Sequence, residues 1–463
     1  MRAFRVSNVQ RRRVIHSLVF FPALALAFYT APAEEIHEFA RLERSTEERE
    51  AFLGNSVAVA GDFIVAGAQG HDQGLFNTGA AYVFAEPPGG WTGVVTESAV
   101  LVAGNAAYND RFGWDVAAEG DVVVVTASLA DPNGTDSGGA YVFIKPSAGW
   151  TGTLNEDAWL LPNDGAAGDW FGCDVAIEGD TVVIGARYDD DNGDSSGAAY
   201  VFVEPPGGWS GTIYQNAKLI GTNIVADDQL GASVSISGDV IVVGAPRRDY
   251  YDIDSGAVYL FEKPPGGWSG TVNQAAVLIP SDGTILDMFG EAVSIVGDHV
   301  LVGAEGDGPS GSQSGSAYWF TEPATGWSGF VTETAFLTAA DAGPNARFGR
   351  SVAACELGAI IGAPFDEQLA WQAGAAYAVP RSGAGWTGPM TVDRKMVASD
   401  LTEGDLLGHV VVVHRDLALV GSPSHECLIE PRCGMVYVFK APWLFGDGFE
   451  SGDVTAWAWT TAL

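Results

Sequence analysis

Basic residues are scarce in this chain. Lys and Arg together number 23 against 58 Asp and Glu, which gives a net charge of −35. A field of that sign repels nucleic-acid phosphates and anionic membrane surfaces, and it favours cations or basic partners. We therefore expect no nucleic-acid partner. The negative charge serves either to attract a partner or only to keep the chain soluble.

Long apolar runs are missing after the first 33 residues, and none approaches the roughly 18 residues that a membrane-spanning helix needs. At the N-terminus a basic start precedes the apolar stretch VIHSLVFFPALALAFYT, and Ala31-Pro32-Ala33 fits the small-x-small cleavage rule. We expect residues 1–33 to be a signal peptide. The mature chain should then be soluble and secreted, periplasmic or at the cell surface. The basic start consists of Arg2, Arg5, Arg11, Arg12 and Arg13.

Cysteine is also rare, with four residues in the whole chain. Cys427 and Cys433 flank the short stretch CLIEPRC and are predicted to form a disulfide, which an exported protein can keep. Cys173 and Cys355 lie three repeat units apart in the map described below. We expect these two to stay unpaired.

Signals of catalysis are weak. The chain has 7 His, none of them in an H-E-x-x-H or other paired metal-ligand spacing. Carboxylates are abundant, so a glycosidase-like catalytic pair of carboxylates remains an alternative, because such a pair is defined by its positions in space and not by a sequence motif. We expect a protein that is not an enzyme, with a polysaccharide-active propeller enzyme as the alternative.

What the chain does have is a repeat of 59 residues. An aromatic residue or Leu followed by Gly recurs with that period, and a Gly-Trp step and a Gly that closes a Val/Ile-rich run recur with it. The second unit departs at the last marker, where Thr126 replaces Gly. The pairs are Leu53-Gly54, Phe112-Gly113, Phe171-Gly172, Leu230-Gly231, Phe289-Gly290, Phe348-Gly349 and Leu407-Gly408.

Each unit is predicted to contain four short strands. In the third unit, FGCDVAIE and TVVIGA are joined by a Gly-Asp step typical of a type II′ hairpin. A polar loop, the strand GAAYVF, a Pro-Pro-Gly-Gly turn and the strand AKLI follow. Seven such units without helical periodicity predict an all-β fold, a seven-bladed β-propeller of four-stranded antiparallel blades over residues 34–440.

The two ends of the repeat array are complementary. The mature chain opens with FARLE, which matches the fourth-strand pattern, whereas the last unit stops after its third strand, MVYVFK. We expect the N-terminal strand to complete the seventh blade and close the ring. Residues 441–463 then form a tail. It resembles a short stretch seen on exported bacterial proteins and is either a sorting tag or a loose end.

The stretches FGEAVSIVGDHVLVGA, LGASVSISGDVIVVGAP and GAVYLF resemble the FG-GAP repeat, the unit of the integrin α-subunit propeller and of many exported bacterial proteins. The resemblance covers nearly all of residues 36–440 and implies a propeller that binds ligands on one rim. Integrin-like repeats carry a calcium loop between their first two strands. Here a tight Gly-Asp turn stands in that place, so the family's calcium residues cannot be carried over.

An acidic run in the third unit, DDDNGD, is the remaining candidate for a cation site. Asp190, Asn192 and Asp194 stand at the first, third and fifth places of a calcium-loop pattern. Ser195 replaces the Gly that such a loop needs, and no Glu closes it. The alternative is an exposed turn, for which Asp, Asn and Gly are ordinary residues. We expect no cofactor unless this loop binds calcium.

Residues that recur in every blade should hold the ring, so function should lie where the blades differ. The loops between second and third strands differ most, and all should leave on one rim. Exposed Tyr, Trp and Arg are typical of binding hot spots. We therefore predict a monomer that binds an extracellular protein or a glycan there, or else a structural envelope protein. The candidate residues are Arg247, Arg248, Tyr250, Tyr251, Phe365 and Trp371, with His425 and Arg432 in the seventh loop.

Overall fold

The structure is a computed structural model that describes residues 35–46, 49–381, 385–427 and 431–441. The predicted signal peptide and all of the predicted tail except Ala441 lie outside the described residues. The described part of the chain contains strands and no helix, and so no helix that could cross a membrane.

The strands form seven five-stranded sheets in this part of the chain, which confirms the predicted seven-bladed propeller. Within each blade the first four strands are antiparallel and follow one another from the axis outwards. The first strands are Val57–Ala60, Val116–Glu119, Phe171–Glu178, Val234–Ser237, Ala292–Val296, Ser351–Cys355 and Val410–His414. The second strands are Phe63–Ala68, Val122–Ala127, Thr181–Ala186, Val240–Ala245, His299–Ala304, Gly358–Ala363 and Leu417–Ser422.

The third and fourth strands complete the antiparallel part of each blade. The third strands are Ala80–Ala85, Gly139–Ile144, Ala198–Val203, Ala257–Glu262, Ser316–Thr321, Ala375–Pro380 and Met435–Lys440. The fourth strands of blades one to seven are Ala99–Val102, Ala158–Leu161, Ala217–Ile220, Ala276–Ile279, Ala335–Ala339, Lys395–Val397 and Ala40–Glu43. The apolar, β-branched second strands are buried almost throughout, because neighbouring sheets cover both of their faces.

A fifth strand in each blade was not predicted from the sequence. It pairs in parallel with the fourth strand. In every blade but the sixth it comes from the segment after the Gly-Trp step of the next unit, so adjacent blades are joined at their outer edges. Its short, polar sequence, such as GTLN, carries little apolar alternation. The fifth strands of blades one to seven are Gly152–Asn155, Gly211–Tyr214, Gly270–Asn273, Gly329–Thr332, Gly388–Val392, Glu35–His37 and Gly93–Thr96.

The N-terminal segment closes the ring, as predicted, and it does so at two blades. Ala40–Glu43 pairs antiparallel with Met435–Lys440, with Ala40 opposite Val438. Glu35–His37 pairs in parallel with Lys395–Val397 of the sixth blade. The first strands of blades seven and one also pack against each other, as neighbouring first strands do around the axis.

The repeated markers of the sequence are core positions. All seven aromatic or Leu residues of the aromatic-Gly pairs are fully buried between blades. The Gly that follows has positive φ and no space for a side chain: a Cβ on Gly113 would lie 2.2 Å from the carbonyl oxygen of Ala80. The Trp of each Gly-Trp step is buried as well, which confirms its prediction as a packing residue.

Candidate ligand-binding rim

Seven loops between second and third strands lie on one rim of the ring, and we call them the rim loops. The Gly before each third strand forms a parallel bridge with the aromatic residue or Leu that precedes the next blade's first strand, from Gly79 with Phe112 round to Gly434 with Leu53. The rim loops thus share one backbone frame and differ in their side chains. They are residues 69–79, 128–138, 187–197, 246–256, 305–315 and 364–374 and, of the seventh loop, the described residues 423–427 and 431–434.

Buried Asp residues hold the segments that lead into the first strands. Each accepts a hydrogen bond from the backbone N–H three residues earlier, as Asp169 does from Ala166 at 2.7 Å. These recurring carboxylates therefore have a structural role, since they satisfy backbone N–H groups of the approach segments. Burial raises the pKa of Asp169 to about 6, and the neighbouring carboxylates of Asp189 and Asp190 add to the effect. The five residues are Asp110, Asp169, Asp228, Asp287 and Asp405.

Two rim loops are tied to their blades by a buried lysine. In blade three the Lys218 ammonium contacts carboxylate oxygens of Asp189 at 2.8 Å, Asp191 at 2.5 Å and Asp164 at 3.0 Å. The Tyr200 hydroxyl donates to Asp189 at 2.6 Å, and the Lys218 ammonium lies 5.0 Å from the centre of the Tyr200 ring. The positive charge therefore neutralises an acidic loop from within the protein.

The sixth blade repeats this arrangement. The Lys395 ammonium contacts Asp341 at 2.9 Å and Asp366 at 2.8 Å, and the Tyr377 hydroxyl donates to both carboxylates. Both lysines were missed in the sequence. The signal was present, since each stands opposite the Tyr of the third strand, at a place where blades one, two, four and five carry Val, Trp, Val and Phe.

The acidic run of blade three has ordinary turn geometry at its head. Asp190 accepts a hydrogen bond from Ser195 N–H at 2.7 Å, and Asp131 and Asp249 accept the equivalent bond in their own loops. Asn192 and Asp194 are exposed. No group of metal-binding side chains occurs among the described residues. Calcium at Asp190, Asn192 and Asp194 stays a prediction, and the recurring bond favours the turn.

The same loop contains Gly193-Asp194-Ser195-Ser196-Gly197, which has the G-x-S-x-G spacing of a hydrolase nucleophile. Such a nucleophile sits on a turn between a strand and a helix. Here the loop joins two strands, and the positive φ of Ser195 recurs at Asp136 and Asp254 in other rim loops. The geometry is that of a shared turn.

A second group of variable residues surrounds the axis. The residue after each aromatic-Gly pair is different in every blade, and these residues line an axial cavity of about 460 Å³. Repeat analysis could have found them, because an invariant pair is followed at once by a variable place. They are Asn55, Trp114, Cys173, Ala232, Glu291, Arg350 and His409.

Charges in the axial cavity are largely paired. Arg350 contacts Glu291 at 3.1 Å and Glu305 at 3.6 Å, and Arg187 contacts Glu291 at 3.6 Å. Burial raises the pKa of both Asp115 and Asp174, and the Asp115 charge raises that of Asp174 further. Backbone N–H groups of Val175 and Val234 donate to these two carboxylates.

The residues predicted in the fourth rim loop have two different environments. Tyr251 is 49% exposed, and the half-buried Tyr250 packs edge-on against it with ring centres 4.9 Å apart. Arg247 is exposed, whereas Arg248 turns inward to Asp228 at 3.3 Å. The structure therefore presents Tyr250, Tyr251 and Arg247 together at the surface of blade four.

The residues predicted in the sixth and seventh rim loops form a separate group. Trp371 is 55% exposed and borders a cavity of about 890 Å³, which Arg432 and the buried His425 also line. Phe365 lies apart from them, half-buried beneath the Arg347 guanidinium at 4.7 Å. Cys427 and Cys433 form a disulfide, and Cys173 and Cys355 are free thiols.

One position of the rim loops carries an apolar residue in some blades and a polar residue in others. Its carbonyl accepts a hydrogen bond from the next blade's approach segment in six blades. Phe76, Ile253 and Trp371 stand there in blades one, four and six, each about half exposed. The other three are polar, so the backbone does not demand an apolar side chain. They are Thr135, Asp194 and Ser312.

Comparison with known proteins agrees with this architecture. A family model described as FG-GAP repeat matches residues 37–84, 95–143, 154–202, 214–261, 272–320 and 331–379. The chain therefore belongs to the FG-GAP repeat family, and its seventh blade follows the same strand order. Integrin alpha-6 of Gallus gallus is 32% identical over 170 residues, which cover 34% of this chain and 14% of that protein.

Two solved structures are similar to this chain over most of its length. The WD40 beta propeller domain of Doa1 has a TM-score of 0.47 at 9% identity, covering 87% of this chain and 96% of that one. Saccharomyces cerevisiae Sqt1 has a TM-score of 0.45 at 9% identity, covering 88% of this chain and 86% of that one.

Proposed function

We propose that this chain is an exported, non-enzymatic binding propeller that engages an extracellular protein or a glycan through its rim loops, as a monomer. The observation that carries the proposal is the exposed apolar side chain at the shared rim position of blades one, four and six. Phe76, Ile253 and Trp371 stay about half exposed there, and the polar residues of three other blades show that the fold does not require them.

The test is a binding screen with three substitutions that copy a residue of the chain itself. Phe76→Ser, Ile253→Ser and Trp371→Ser, combined in one protein, reproduce Ser312 at three equivalent places. The wild type is screened on a glycan array and on a panel of purified extracellular-matrix proteins. We expect the triple variant to lose the ligands that the wild type binds.

The matched control is Leu357→Ser, which removes an exposed apolar side chain from the opposite rim, in the turn between first and second strands. It should keep every ligand. Ligands that survive the triple variant would place binding elsewhere, and a wild type without any ligand would favour a structural envelope protein.

An enzyme is the second candidate, and the pair Asp115 and Asp174 is what favours it. Burial raises the pKa of both carboxyls beside an open axial cavity, as for an acid and base pair. Polysaccharide hydrolysis that disappears in Asp174→Asn would support this candidate. Absence of hydrolysis across a glycan panel would remove it.

A further inference from the structure

Blade four carries a continuous apolar surface that extends from its rim loop to its outer edge, and we call it the blade-four patch. The Tyr250 ring lies 4.9 Å from that of Tyr251 and 5.4 Å from that of Phe330 on the fifth strand. The Ile253 carbonyl accepts a hydrogen bond from Leu286 N–H at 2.9 Å, which places Ile285 and Leu286 beside the loop. The patch residues are Tyr250, Tyr251, Ile253, Ile285, Leu286 and Phe330.

The patch is exposed to an extent that packing does not explain. Phe330 is 60% exposed, although the equivalent place of three other fifth strands is occupied by Thr. Those residues are Thr153, Thr212 and Thr271. Apolar surface of this kind on a soluble protein marks an interaction site.

Leu286 adds a cost in backbone energy. Its φ is 64°, in the left-handed region, where a Leu side chain is strained. Five of the other blades carry Asn, Asp or Gly at this place, and Asn and Gly adopt the conformation readily. Leu286 is thus an apolar residue kept exposed against the local conformational preference. The residues in those blades are Asn109, Gly168, Asp227, Asn345 and Gly404.

Carboxylates surround the patch, and none of them makes an ion pair within the part of the chain that the structure describes. Glu333 and Asp282 lie near the Tyr251 hydroxyl and, after burial and Tyr250, help to raise its pKa. The rim loop adds three more negative charges and one exposed cation, Arg247, so the charge around the patch stays negative. The surrounding carboxylates are Asp249, Asp252, Asp254, Asp282 and Glu333.

We propose that the blade-four patch is the docking site for a partner protein's segment in which Lys or Arg residues flank aromatic or aliphatic side chains. This inference rests on the proposed binding function and names the class of partner. Apolar side chains of the segment cover the exposed rings, and its cations meet the unpaired carboxylates.

Charge argues against two other occupants. A second copy of this chain would bring one ring of carboxylates against another. The chain's own C-terminal segment, residues 442–463, carries Asp447, Glu450 and Asp453 and neither Lys nor Arg. A basic, apolar segment is the occupant whose chemistry complements the patch.

The test uses the full chain and three labelled peptides of equal length in fluorescence anisotropy. The first consists of Lys-Lys-Phe-Leu repeats, the second of Lys-Lys-Ser-Gly repeats and the third of Glu-Glu-Phe-Leu repeats. We expect the first peptide to bind at least about tenfold more tightly than either of the others, because it alone combines both features. Equal binding of the two basic peptides would show attraction by net charge alone and would overturn the inference.

Variants test whether the peptide binds at the blade-four patch. Ile253→Ser with Phe330→Thr copies Ser312 and Thr271, and it should weaken binding of the Lys-Lys-Phe-Leu peptide at least about tenfold. Tyr214→Asn is the matched control, since it removes an equally exposed aromatic residue from another fifth strand and copies Asn273. Leu286→Asn should weaken binding while raising the melting temperature, which separates loss of the site from loss of the fold.

The outcomes separate this inference from the proposed function. Peptide binding that survives Ile253→Ser with Phe330→Thr overturns the inference, whereas the rim proposal is decided by the triple variant on the arrays. Loss of glycan binding in this double variant would also overturn the inference, because the patch would then bind a glycan and not a protein segment. The rim proposal would still stand.

Discussion

At the residue scale, buried charge decides which acidic groups of this protein are structural. The negative runs visible in the sequence look alike, yet Asp189 and Asp191 form ion pairs with an internal ammonium, whereas Asp249 and Asp252 form no ion pair within the described residues. The difference depends on one residue of the fourth strand, Lys218, which is distant from the loop in sequence.

Lys218→Met tests this role. Removing the ammonium leaves the buried Asp189 carboxylate without its cation and next to two further carboxylates, so the free energy of unfolding should fall by about 3 kcal/mol. Urea denaturation gives the value. Lys263→Met is the control: Lys263 pairs with the exposed Asp239 at 3.5 Å, and loss of such a surface pair should cost less than about 1 kcal/mol. Equal effects would contradict the account.

The buried Asp residues predict a pH dependence. The pKa of Asp169 is about 6 in the folded state and about 3.9 for an unfolded Asp. The folded state therefore binds more protons between these values, and stability falls as the pH rises from about 4 to about 6. Asp169→Asn should lack this loss, so its stability relative to the wild type should rise over that range. Melting curves across the pH range measure it, and parallel curves for both proteins would count against it.

At the scale of elements, the tight turn between first and second strands is predictable in the five blades that carry a Gly-Asp step. The Gly of this turn has positive φ, as a type II′ hairpin requires, at Gly61, Gly120, Gly179 and Gly238. The seventh blade has Arg415 at this place, with φ of 53°. Arg415 thus adopts a left-handed conformation that a residue with a side chain does not prefer.

Arg415→Gly should therefore stabilise the protein by about 0.5 kcal/mol, because relief of the strain outweighs the greater entropy of Gly in the unfolded chain. The reciprocal change Gly238→Arg should destabilise it by about 1 kcal/mol. Denaturant midpoints of both variants test the pair of effects. A loss of stability in Arg415→Gly would mean that the Arg415 side chain contributes more than its backbone costs.

The fifth strand marks the limit of sequence reasoning at this scale. GTLN and GTIY pair with a neighbouring blade and expose most of their residues, so no apolar alternation indicates them. The candidate rim shows the same limit. The sequence identified the variable loops, and the grouping of Tyr250 with Phe330 depends on that unpredicted strand.

For the whole molecule, the 59-residue period predicts the blade number, the order of the first four strands and the closure of the ring. Such a ring places the N-terminal segment against the last units of the array. The period did not predict that the N-terminal segment pairs with two blades. Glu35–His37 joins blade six, whereas Ala40–Glu43 joins blade seven.

Deletion of residues 35–43 tests ring closure most directly, with thermal unfolding followed by circular dichroism. The blade-seven sheet loses its fourth strand and blade six loses its fifth, so we expect the cooperative transition to disappear or the melting temperature to fall steeply. A variant lacking residues 442–463 is the control and should melt like the wild type. An unchanged transition after deletion of 35–43 would contradict a ring that its own N-terminus closes.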